Sequence, residues 1–186
     1  MIPRNYYYID KYLNELMQDI YVQPWDVGHD AWAREVVFQW GDEINPESIL
    51  DVWAGEGFCQ DIFKEIGIEN YVGVAIGDDV ITARKLGRNV FNEDFHFLPY
   101  AAESFDMVFA RHSLEHSPMP LLALMEWHRV AKYWLCLILP NPEFWTYTGR
   151  NHYSVLQSEQ AEFLLNRAGW NVIWKEHTNE ELRFMC

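Results

Sequence analysis

At 186 residues the chain is long enough for one domain with a full core and too short for two comfortable ones. A hydrophobic share of 49% and an aromatic share of 16%, nine Trp among them, exclude a disordered chain, which needs few aromatics and a weak core. Fourteen Lys and Arg against 28 Asp and Glu leave a net charge of −14, a surface that repels phosphate backbones and anionic lipid, so neither nucleic acid nor a membrane is expected as a partner.

The first residues, Met1 to Tyr8, show no basic segment leading into an apolar one, and no later run is long enough to span a bilayer, so the expected location is cytoplasmic. Cys59, Cys136 and Cys186 are odd in number, widely spaced and without a CxxC pair, which gives neither a zinc site nor a disulfide framework. Ile9, Tyr12, Leu13, Leu16, Met17 and Ile20 recur near a 3.6-residue period and predict an amphipathic helix that Pro24 ends. A second helix is predicted from His29 to Trp40, with Trp32, Val36, Val37 and Trp40 on one face. Both are read as cover for a sheet or part of a lid.

The chain then changes character. Ser48 to Trp53 reads as a buried strand after Pro46, Ala54-Gly55-Glu56-Gly57 as a tight loop, and Cys59 to Glu65 as a helix. Glycines at such a turn let backbone N–H groups approach a ligand at the positive end of the helix that follows. A dinucleotide fingerprint needs a third small residue three positions after its second glycine, and here that position is Gln60. Tyr71 to Ile76 reads as a second strand. Asp78 and Asp79 then precede a helix over Val80 to Leu86, where Asp favours the capping position. Arg84, Lys85 and Arg88 read as a solvated face.

Further on, Val90 to Tyr100 reads as a third strand with an acidic turn, and a fourth strand lies within Glu103 to His116. A helix introduced by Pro118 and Pro120 runs through Arg129, and a fifth strand spans Tyr133 to Leu139. A helix over Ser158 to Ala168, ended by Gly169, is expected to bury Phe163, Leu164 and Leu165. Trp170 to Lys175 and Glu181 to Met185 close the chain as a strand pair.

Asp51 followed by Gly55-Glu56-Gly57 resembles the first motif of class I methyltransferases that use S-adenosylmethionine. The order of strands and turns from Ser48 to Pro142 resembles the rest of that family's core. The resemblance implies an α/β fold, a doubly wound, mainly parallel seven-stranded sheet with helices on both faces and an antiparallel C-terminal edge strand. It divides a single domain into an N-terminal helical cap at 1–45, a cofactor-binding core at 46–142 and a substrate-side region at 143–186. It implies S-adenosyl-L-methionine as cofactor, S-adenosyl-L-homocysteine as product and an unidentified small-molecule methyl acceptor as partner. Asp51, Trp53, Gly55, Glu56 and Gly57 are expected at the amino-acid end of the cofactor, and Ala75, Ile76 and Asp78 near its ribose. Asp94 is expected to accept the adenine amino hydrogens, with Phe95 beside the purine and Arg111 on the loop that completes the site.

Two departures stand out. Trp53 occupies the place of the family's first glycine, and Ala75 that of its ribose-binding acid. They motivate a second reading, a cofactor-binding relative without turnover. A third, a nicotinamide-dependent oxidoreductase, rests on the glycine turn alone and is disfavoured by Gln60. If the acceptor is a hydroxyl or an acid, transfer needs a base; His112 is the first candidate, with His116 and His152 in reserve. His112 and His116 lie four apart but lack the Glu of the HExxH zinc motif, so no metal is expected. Trp25, Trp145, Tyr147 and Tyr153 suggest an aromatic-lined acceptor pocket between the loops at 20–32 and 141–157.

Overall fold

A computed structural model describes residue 11 and residues 27–41, 44–144 and 151–186. Seven strands form one sheet: β1 (Ser48–Val52), β2 (Asn70–Ala75), β3 (Val90–Asn92), β4 (Phe105–Arg111), β5 (Ala131–Pro140), β6 (Trp174–His177) and β7 (Glu181–Met185). Their order is β3-β2-β1-β4-β5-β7-β6. All neighbouring pairs from β3 to β5 are parallel, while β7 runs antiparallel to both of its neighbours, β5 and β6. The antiparallel strand therefore lies one place in from the edge, and β6 is the edge itself. Order reverses at β1, between β2 and β4, and in open α/β sheets such a switch point opens a crevice beyond the carboxyl ends of the strands.

Helices cover both faces because the central strands are apolar on both faces, as parallel strands buried on two sides must be. Leu50, Val52, Val74, Val108, Leu135 and Leu137 pack with residues of α4 (Pro120–Val130) and α5 (Ser158–Ala168). Their sequence neighbours Ile49, Met107, Phe109, Cys136 and Ile138 pack on the other side with α1 (Val27–Gly41) and α2 (Cys59–Glu65). The fifth helix, α3 (Asp78–Lys85), flanks β2 and β3. The three cysteines are buried free thiols.

The expected helix over 9–21 lies outside the described residues, as do Trp25, Trp145 and Tyr147. In α1, Val36 and Val37 are buried as anticipated. In α5, Leu165 is buried, but Phe163 is 63% exposed. The buried stripe is Ala161, Leu165 and Ala168, spaced by four and three, and Phe163 falls off that stripe. The last hairpin starts later than predicted, at Trp174, because Trp170 is drawn into the core: its indole N–H donates to the Leu124 carbonyl (3.1 Å). Among the described residues, no helix is long and apolar enough to cross a membrane.

Candidate active site

The loop after β1 is a tight turn. Gly55 and Gly57 have φ of 55° and 74°, the left-handed region that glycine enters without penalty. A Cβ on Gly57 would meet Val90 Cγ2 at 2.6 Å, so strand β3 presses against the turn. Arg88 belts the loop from outside, donating to the Glu56 carbonyl (3.0 Å) and to Asp61 (2.9 Å). It is thus not merely part of a solvated face. Gln60 is 7% exposed, and its Oε1 accepts the Asn89 N–H (2.8 Å).

Trp53 also sits at positive φ, 66°. A bulky residue there is a genuine backbone outlier, and such strain persists only where the surroundings over-determine it. Two rings hold the half-buried indole: Phe95 lies edge-on at 5.1 Å and His116 stacks at 5.9 Å with 26° between planes. Through Trp53 the loops after β1, β3 and β4 therefore meet.

Three residues expected at the cofactor have partners of their own inside the protein. Asp51 is 3% exposed, and the Tyr71 hydroxyl donates to its Oδ2 (2.6 Å). Burial pushes Asp51 up to about 7, and its bond from Tyr71 straps β1 to β2. Phe95 has no exposed surface; Trp53 and Trp127 (5.6 Å) lie against its ring. Arg111 donates to Glu181 from Nη2 (2.9 Å) and Nε (3.2 Å), an internal ion pair at the end of β4.

Near the expected ribose position, Ala75 is buried among Ala54, Val80, Ala83 and Val90, Ile76 is half-buried, and Asp78 is exposed. Neither aspartate caps α3. The cap is Gly77 (φ 70°), whose N–H donates to the Asn92 side chain (3.3 Å). Asp79 instead turns toward the glycine loop: its Oδ2 lies 3.8 Å from where a Cβ on Gly55 would be. Its Oδ1 is buried and has no hydrogen-bond partner among the described residues. Burial, with Glu56 and Asp78 nearby, raises Asp79 to about 6.

Asp94 accepts at Oδ1 from the His96 backbone N–H (2.9 Å) and faces His96 Nδ1 (2.7 Å). The other ring nitrogen of His96 meets Ser117 Oγ (2.7 Å), tying the β3 loop to the segment after β4.

At the end of β4, His112 takes φ 48°, a second strained side chain on the crevice edge. Its Nε2 lies 3.1 Å from Glu181 Oε1. Burial and the neighbouring Arg111 lower His112 to about 4, so the ring is neutral near pH 7; Nε2–H donates to Glu181, and Nδ1 keeps its lone pair. Burial alone would raise Glu181, but the bond from His112 and the charge of Arg111 hold it down at about 2. Arg183 completes this cluster, donating from Nε to Glu181 Oε2 (3.0 Å).

The next turn, a 3-10 helix over Leu114–His116, carries a second group. Glu115 is 2% exposed, burial pushes it up to about 8, and its Oε2 has no partner among the described residues. His116 is lowered to about 3 by burial and by His152; its Nδ1 meets the Asn151 carbonyl (3.1 Å). The His116 and His152 rings lie 4.8 Å apart. Sequence reading missed Glu115, Glu181 and Arg88. Glu181 lies 69 residues from His112, a separation no local spacing reveals.

Comparison with known proteins places these features. Residues 50–133 match the family model described as a methyltransferase domain. A SAM-dependent methyltransferase from Aquifex aeolicus shares 20% identity, with 94% of this chain and 97% of that one covered at a TM-score of 0.69. One from Archaeoglobus fulgidus shares 20%, covering 92% and 77% at 0.65. One from Mesorhizobium loti shares 13%, covering 74% and 89% at 0.64. No curated protein matches the chain.

Proposed function

We propose that the chain is a class I S-adenosylmethionine-dependent methyltransferase that moves a methyl group to a small-molecule acceptor by in-line displacement, with His112 as the base, a reading supported by the domain match over residues 50–133 and the shared fold. The cradle suits such a cofactor on one test. Asp79 approaches Gly55 with Oδ2, and its other oxygen, Oδ1, is buried without a partner among the described residues; it calls for a hydrogen-bond donor, and a ribose hydroxyl supplies one. Asp79 thereby takes over the work that Ala75 cannot do. Gly55, Glu56 and Gly57 frame the turn, Trp53 and Ile76 offer apolar surface, Asp78 adds negative charge, and Asp94 is placed to accept from an adenine amino group. When bound, S-adenosylmethionine supplies an electrophilic methyl group on a positively charged sulfur.

The protein's own task is then to orient the acceptor, exclude water and take a proton. The observation that carries this reading is the His112–Glu181 pair. Glu181 fixes the tautomer through Nε2, Nδ1 has no hydrogen bond among the described residues, and the carboxylate stabilises the imidazolium that forms when Nδ1 accepts a proton. His112→Asn should retain cofactor binding and lose turnover by about 10²–10⁴, the usual range for removing a general base. Calorimetry with S-adenosylhomocysteine and label transfer from S-adenosylmethionine to a panel of phenols, carboxylic acids and amines measure the two parts. Failure of both S-adenosylmethionine and S-adenosylhomocysteine to bind would sink the reading. Tight binding with no transfer to any acceptor would favour the second one, a regulatory cofactor-binding relative, for which the indole of Trp53 between Phe95 and His116 is the supporting observation.

A further inference from the structure

Glu115, His116 and His152 bring one carboxylate oxygen and two imidazole nitrogens within 4.8 Å of one another. We propose that these three side chains form a binding site for a divalent transition-metal ion of the zinc class, at the end of the crevice beside Trp53. Two imidazoles and a carboxylate are a donor set for such ions. Three protein ligands leave coordination positions open to an outside oxygen or nitrogen.

Three independent features point to a ligand rather than to ordinary packing. First, Glu115 is almost wholly buried, yet its Oε2 has no hydrogen-bond partner among the described residues. Such a group normally costs about 1–3 kcal/mol, and a cation at the cluster would satisfy it. Second, His116 is oriented as metal-binding histidines are. Its Nδ1–H can donate to the Asn151 carbonyl (3.1 Å), and its Nε2 faces Glu115, 4.0 Å from Oε1. A backbone carbonyl on the far nitrogen is the usual means of fixing the tautomer of a ligating imidazole.

Third, the segments bearing the ligands are already tied together. The Glu115 carbonyl accepts the N–H groups of Tyr153 (2.7 Å) and Ser154 (3.0 Å), and the Ser154 hydroxyl donates to the Ser117 carbonyl (2.6 Å). These bonds hold His152 against His116, although 35 residues separate Asn151 from His116. Metal–ligand bonds of about 2.0–2.2 Å require the donors to draw in by about an ångström from their present spacing, which side-chain rotation supplies. His152 is half-buried, so an ion enters from its side. The HExxH pattern is absent because the third ligand comes from a different loop.

The test uses tag-free protein stripped with chelator and titrated with Co²⁺ as a coloured probe, without S-adenosylmethionine, so its result is independent of the methyl-transfer reading. The expected result is one equivalent of Co²⁺ bound, with a visible absorption band that Zn²⁺ abolishes by displacement. His152→Ala and Glu115→Gln should each weaken binding about tenfold or more, and His128→Gln, in α4, should leave it unchanged. His152 lies on a half-buried loop position, so its variant decides the matter even if the Glu115 variant folds poorly. The proposal is overturned if the wild-type protein retains no Co²⁺ after dialysis, or if His152→Ala binds as tightly as wild type.

Discussion

Two glutamates at the same edge of the sheet are both buried, yet they live in opposite electrostatic settings. Glu181 accepts from Arg111, His112 and Arg183, and both of its oxygens are occupied. Glu115 lies in the turn just after β4, with Oε2 unpartnered among the described residues. The first is held at about 2 and the second pushed up to about 8. Burial acts on both in the same direction, so the difference comes from partners: Glu181 accepts a hydrogen bond from His112 and has two guanidinium groups in contact, while Glu115 has only its own backbone N–H and the charge of Arg111 to offset burial. A satisfied carboxylate of this kind organises structure, while an unsatisfied one signals a group yet to arrive. Asp79, also raised and also with an unpartnered oxygen, belongs with Glu115.

The largest separation between the two classes should appear in stability. Glu181→Ala leaves Arg111 and Arg183 buried without their shared partner and is expected to cost about 3–5 kcal/mol, a drop in Tm of roughly 10 °C for a domain of this size. Differential scanning calorimetry measures it. A loss below about 1 kcal/mol would place Glu181 with the unsatisfied acids and erase the distinction.

Acid adds a second arm. The folded-state value of Glu181, about 2, lies below its ordinary 4.5, so its contribution is fully present above 4.5 and disappears as pH falls through about 2. The integrated effect is on the order of 3 kcal/mol. In Glu181→Gln that share of the acid sensitivity should vanish, read from urea melts between pH 5 and pH 2. Persistence of the full acid loss in the variant would assign it to other carboxylates.

Asp79 should show the converse behaviour. Its carboxylate is raised by burial and by Glu56 and Asp78, so Asp79→Asn removes unfavourable charge and should leave stability near pH 7 unchanged or slightly higher. The same variant should weaken S-adenosylhomocysteine binding about tenfold, the loss expected when a hydrogen bond to a charged acceptor is removed. Unchanged affinity in calorimetry would detach Asp79 from the ribose.

Much of this was legible in the sequence, and what was not has a physical pattern. The strands from β1 to β5 and the glycine turn announce themselves through local signals, apolar runs and residues that only particular backbone angles accept. The departure at Trp53 was legible too, although its consequence, an indole bridging Phe95 and His116, depends on residues more than 40 positions away. The partners of Asp51, Phe95 and Arg111, namely Tyr71, Trp127 and Glu181, are 20 or more residues away and no motif announces them. The pairing of His116 with His152 is invisible for the same reason. Bonds from Tyr153 and Ser154 to the Glu115 and Ser117 carbonyls, together with the His116–Asn151 contact, bring the two loops into register.

The smallest expected effect sharpens the contrast most. Glu115→Gln replaces a carboxyl that burial already favours in its uncharged form with an uncharged amide of nearly the same shape. Metal-free protein should therefore change in stability by less than about 1 kcal/mol near pH 7, within the range of a single neutral hydrogen bond. The backbone carbonyl that accepts from Tyr153 and Ser154 is untouched by the substitution, so the loop carrying His152 stays in place. Side-by-side melts of Glu115→Gln and Glu181→Gln decide whether charge or bulk matters at each site. Losses of equal size would mean that Glu115 is paired in solution after all, and the division between organising and receptive carboxylates would fall.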